Sequence, residues 1–89
     1  MEQVKKGAVM DSEIIMKVKG MVVKYINPKM SADEIAADKD MILYGMNSLS
    51  FIRLIVAVEK EFAVEFDESI DVSQARTVNK IAEYIEANI

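Results

Sequence analysis

Apolar residues return every three or four positions in three separate stretches of this chain, and that interval commits it to helices packed side by side. Ile15, Val18, Val22 and Tyr25 form the first stripe, flanked by Ile14, Met21 and Ile26. Phe51, Ile55, Val58 and Phe62, with Leu54 beside them, form the second; Val78, Ile81, Ala82 and Ile85 form the third. With about 3.6 residues per turn, such spacing lines up one face of a helix, whereas a half-buried strand alternates in twos. No alternation persists, and the only candidate strand, "AVEFDES", is too short and isolated to build a sheet. Glycine (three) and proline (one) are scarce, so little interrupts the helices.

The punctuation agrees with the stripes. Asp11 or Ser12 can cap a first helix by accepting an orphan amide hydrogen bond, and Asn27-Pro28 ends it because the residue before a proline is pushed out of helical geometry. Gly20 is a mild cost within it. "SADE", Ser31 to Glu34, has the form of a capping box and predicts a short helical turn near residues 32–37. The rest of the long connection from Lys29 to Asn47 is expected to be pinned to the core by Met30, Ile35, Met41, Ile42 and Leu43. A second helix runs from Ser48 to about Phe62, a short helical stretch from Ile70 to Ala75, and Thr77 caps a last helix. The expectation is an all-α bundle over residues 11–89 with a loose tail over 1–10. Its core is predicted to include Val18, Val22, Ile55, Val58, Phe62, Ile81 and Ile85. Eighty-nine residues leave no room for a second core.

The second helix carries more apolar surface than one buried face requires. Leu49, Ile52 and Val56 form another line beside Arg53. Either this line is left open for a partner, or the helix is central and packed from two sides.

Composition narrows the function. An apolar fraction of 52% with 29% charged residues belongs to a folded chain. Residues 1–30 hold six lysines against three acids, and residues 31–89 five bases against twelve acids. The acidic portion disfavours nucleic acid, which demands a basic stripe, and suits partners with basic surfaces or simple solubility. No cysteine or histidine is present, which removes disulfides, thiolate nucleophiles and imidazole bases together. "MEQVKKGAVM" lacks the apolar region of a secretory signal, and the longest wholly apolar run, Leu54 to Val58, is too short to cross a bilayer. A cytoplasmic protein with no membrane partner is expected.

Catalytic constellations fail one by one. The six serines have no histidine to serve as base, and "GMNSL" does not match the G-x-S-x-G elbow. Calcium loops starting at Asp67 or Asp38 lack the required glycine at the sixth position. No phosphate-cradling glycine loop exists. A self-sufficient enzyme is not expected. Ser48 remains, at the mouth of the apolar helix. A hydroxyl there can cap the helix, or carry a phosphate ester favoured by the free amides and the positive end of the helix dipole.

Gly45-Met46-Asn47-Ser48-Leu49, followed by "FIRLIVAVEKEFAVEF" and closed by "DVSQARTVNKIAEYIEANI", resembles the acyl and peptidyl carrier protein family over residues 11–88. The family's motif is Gly, a variable residue, Asp or His, the attachment Ser, and Leu or Met. The resemblance implies a four-helix bundle with three main helices and a short third one. It implies a 4′-phosphopantetheine arm joined to Ser48 by a phosphodiester, taken from coenzyme A by a phosphopantetheinyl transferase. The arm would hold biosynthetic intermediates as thioesters for acyl-loading and acyl-transfer enzymes, the carrier itself being a non-catalytic monomer. Asn47, Leu49, Ile52, Arg53 and Val56 would form the partner surface. Two residues depart from the common pattern. Asn47 replaces an acid, which implies slower modification or a dedicated transferase. Arg53 stands where fatty-acid carriers usually have an acid, and Lys60 dilutes the acidic face further. Both point to a specialised polyketide, nonribosomal peptide or related pathway rather than fatty-acid synthesis. The rival readings are a fatty-acid synthesis carrier, an unmodified helical interaction module and an unrelated helical scaffold with a capped Ser48.

Overall fold

The computed structural model describes residues 12–66 and 75–88, and its three helices are those the apolar spacing predicts. Helix α1 spans Ser12–Tyr25, α2 spans Ser48–Phe62 and α3 spans Val78–Asn88. Two 3-10 turns, Ala32–Glu34 and Met41–Tyr44, lie in the connection between α1 and α2. Among the described residues there is no strand. The fold is all-helical, of the carrier-bundle kind. The expected tail over 1–10, a cap from Asp11 and the short helix from Ile70 fall outside the described residues, apart from that helix's last position, Ala75, which is buried.

Helix α1 lies against both α2 and α3 and against the first 3-10 turn. Its buried stripe is Ile14, Val18 and Val22, four residues apart, with Ile15 and Tyr25 only partly covered. The expected stripe therefore keeps Val18 and Val22 and exchanges Ile15 for the flanking Ile14. Both versions satisfy helical periodicity, and the need to meet helices on two sides selects between them. In α2 the buried residues are Phe51, Leu54, Ile55 and Val58. Phe62, expected in the core, is only half-buried at the helix end, with the Lys17 ammonium 5.9 Å from its ring centroid. In α3 the expected face, Val78, Ile81, Ala82 and Ile85, is buried throughout.

Gly20 sits mid-helix in α1, exposed, where a glycine costs roughly 1 kcal/mol of helix stability relative to alanine. A Cβ added there would meet nothing within 4 Å. Internal packing does not require this glycine.

The chain leaving α2 is fastened to α3. Ala63 ends α2 in left-handed geometry at φ 56°, and Val64 and Phe66 then turn inward. The Phe66 amide donates to Glu59 Oε2 at 2.8 Å, its ring stacks on Tyr84 at 4.3 Å between centroids, and the Tyr84 hydroxyl donates to the Glu65 carbonyl at 2.7 Å. Thr77 caps α3 as expected, its Oγ1 accepting from the Lys80 amide at 3.1 Å.

Candidate functional site: the mouth of helix α2

The connection before α2 is held at both ends. Asn27 Nδ2 donates to the Tyr44 carbonyl at 3.1 Å, and the Tyr44 hydroxyl accepts from the Ala36 amide at 2.9 Å. On the other side the Met41 amide donates to the Arg76 carbonyl at 2.7 Å, and the Asn79 amide to the Ala37 carbonyl at 2.9 Å. Asp40 adds an ion pair with Arg76 and caps the second 3-10 turn through the Ile42 amide at 3.0 Å.

The capping box predicted at "SADE" forms on its glutamate side: Glu34 Oε1 accepts from the Ser31 amide at 2.9 Å. Its turn is shorter than expected, ending at Glu34. Ile35 and Met41 are fully buried and Met30 partly so, as expected of anchors. Ile42 and Leu43 are not anchors. With three residues per 3-10 turn, Met41 and Tyr44 share the inward face and the two residues between them point outward. Met46 is the anchor in their place, buried just ahead of the helix.

Arg76 holds the Asp40 carboxyl below its ordinary value of 3.8, with the Ile42 amide contributing second. A carboxylate lowered on folding stabilises the fold above its unfolded pKa and loses that contribution as pH falls through the folded value. The melting-temperature difference between wild type and Asp40→Asn should therefore be present near pH 7 and shrink below about pH 4. Asparagine keeps an acceptor for the Ile42 amide, so this comparison isolates the charge. A difference constant from pH 7 to about pH 3 would remove the ion pair from the account.

Gly45 closes the second 3-10 turn at φ 102°, a left-handed conformation that side chains resist. Asn47 then caps α2. Its Oδ1 accepts from the Ser50 amide at 2.9 Å, while Ser50 Oγ accepts from the Asn47 amide at 2.9 Å and donates to the Asn47 carbonyl at 3.1 Å. The cap expected of Ser48 thus belongs to its neighbour, with Ser50 as the reciprocal partner. The spacing Asn-x-x-Ser holds that signal in the sequence, although a capping box usually ends in Glu or Gln. Ser48 occupies the first helical position, is exposed, and stays out of this network. The first helical bond runs from the Phe51 amide to the Asn47 carbonyl, which leaves the Ser48 and Leu49 amides at the open end of the dipole. No acid lies in the first turn of α2. A hydroxyl so placed fits a phosphodiester.

Leu49, Ile52 and Val56 are 59%, 57% and 43% exposed, and Arg53 is exposed among them. Leu43 at 71% and Ile42 at 48% add apolar surface on the turn leading into the site. The second line is therefore exposed to solvent.

A family model described as a phosphopantetheine attachment site matches residues 17–85. The chain belongs to this family. Its members are carrier domains, generally non-catalytic, to which 4′-phosphopantetheine is covalently attached, and which interact with phosphopantetheinyl transferases and pathway enzymes. The match takes in the whole of α2 and most of α1 and α3. Among the described residues of this carrier, no helix is long and apolar enough to cross a membrane.

Proposed function

We propose that Ser48 carries the 4′-phosphopantetheine, and that Asn47, Leu49, Ile52, Arg53 and Val56 form the surface on which partner enzymes dock. The chain is then a non-catalytic monomeric carrier, working in the cytoplasm with acyl-loading and acyl-transfer enzymes. The observation that carries this assignment is the division of labour at the helix mouth: Asn47 and Ser50 satisfy each other, and the Ser48 hydroxyl stays exposed and uncommitted. When bound, the group supplies a thiol on which an intermediate is held as a thioester. The residues of the chain do the rest. Asn47 fixes the helix start, the open amides of the first turn favour the phosphodiester charge, and the anchored connection keeps Ser48 in place.

A specialised pathway is favoured over fatty-acid synthesis by the charge on the docking face. From Ser48 to Val58 the only ionisable residue is Arg53. A partner seated here meets apolar side chains with one cation at the rim, which suits an apolar groove bordered by an acid.

Because Ile52 is exposed, Ile52→Asp should leave the helical circular dichroism spectrum and the melting temperature close to wild type. Acyl transfer to or from a partner enzyme should fall roughly tenfold or more, since a charge would be buried against an apolar groove. Unfolding of Ile52→Asp would move that residue into the core, and unchanged transfer would remove it from the docking surface.

A further inference from the structure

Between α1 and α2 lies an open groove of about 480 Å³ whose lining includes neither Ser48 nor any residue of the proposed docking surface. Gly20, Met21 and Ala57 give it an apolar lining, and Lys17, Lys24 and Lys60 a basic one. Glu61, the single acid that lines it, is committed to Lys17 at 3.4 Å. Among the described residues neither Lys24 nor Lys60 forms an ion pair. The groove is therefore positive on a chain whose formal net charge is −4. It sits on the later half of α2: Ala57 is nine residues beyond Ser48, roughly 13 Å along the helix axis.

Gly20 gives a second indication. It is exposed in the middle of α1, it weakens that helix, and a Cβ there would touch nothing. What a glycine at this position provides is close approach from outside.

From the charge and the shape together we infer that this groove docks an acidic amphipathic helix of another protein. Its apolar edge lies over Gly20 and Ala57, and its carboxylates face Lys24 and Lys60. Positive rims on an acidic protein select an anionic partner and disfavour a two-fold contact in which groove meets groove. Concavity separates a helix from a lipid surface. A protruding ridge of side chains fills a groove between two helices, whereas membrane binding calls for apolar residues that stand out from the protein.

The test uses the full chain, labelled with nitrogen-15, before and after phosphopantetheinylation. The probe is a synthetic amphipathic peptide of about eighteen residues with glutamates bordering a Leu/Ala stripe, and its control has lysines in their place. Saturable amide shifts should centre on Gly20, Met21, Ala57 and Lys60 in both forms, and the lysine peptide should give none. Gly20→Leu should abolish binding by filling the groove. The double variant Lys24→Glu, Lys60→Glu should bind at least tenfold more weakly, with an unchanged circular dichroism spectrum. Shifts centred on Leu49 and Ile52, shifts spread over every lysine, or equal binding of both peptides would overturn the inference. So would self-association in sedimentation that the double variant removes, which makes the occupant a second copy, or binding confined to phosphatidylserine vesicles. The double variant should still accept phosphopantetheine, because its lysines lie away from Ser48. A wild type that binds the peptide but resists modification would sink the carrier function and leave the groove standing.

Discussion

Incubated with coenzyme A and a phosphopantetheinyl transferase, the chain is expected to gain a single phosphopantetheine mass, retained in Ser50→Ala and abolished in Ser48→Ala. The two serines are separated by one residue and do different work. Ser50 is bound to Asn47 in both directions and holds the cap closed, while the Ser48 hydroxyl stands exposed at the first helical position. The stabilities should run opposite to the modification. Ser48→Ala removes no cap and should stay within about 0.5 kcal/mol of wild type. Asn47→Ala removes one and should cost roughly 0.5–2 kcal/mol. Intact mass and peptide mapping read the first effect, urea denaturation the second. A wild type that several transferases leave unmodified, or a label that maps to Ser50, would return the chain to an unmodified interaction module.

Leu54→Ala should cost roughly 2–5 kcal/mol, because a fully buried leucine leaves both lost transfer energy and a cavity. That is a large share of the stability of a small domain, typically about 5–15 kcal/mol. Phe62→Ala, despite the larger side chain, should cost less, about 1–2 kcal/mol, since the ring packs against the edge of the core and is only partly buried at the helix end. Denaturation midpoints for the pair measure this ordering directly. If Phe62→Ala proves the costlier, Phe62 belongs to the core after all.

Helix positions, the Thr77 cap and the open line on α2 were legible because each rests on local spacing or local hydrogen bonding. Ile42 and Leu43 depart from the expectation because apolar character states what a residue prefers, not whether the backbone turns it inward, while Phe62 packs against the core without being enclosed by it. A tight 3-10 turn faces Met41 and Tyr44 inward and Ile42 and Leu43 outward, and no helical or strand period announces that. Asn47 and Ser48 were each able to cap, and only the geometry of the first turn separates them. The straps from Asn27 to Tyr44 and from Asp40 to Arg76 join residues far apart in sequence, so one chain carries no sign of them.

Those straps bear on how far a tethered cargo can travel. With the connection tied to the end of α1 on one side and the start of α3 on the other, the polypeptide adds little slack at Ser48. On the proposed attachment at Ser48, the search volume of a cargo hung from that serine would be set by the prosthetic group alone, and its centre would move only when the whole domain moves. Successive enzymes must each bring a catalytic pocket inside one small sphere. On the proposed docking face, the order in which they act would be decided by which of them occupies α2, not by stretching of the chain that carries the load.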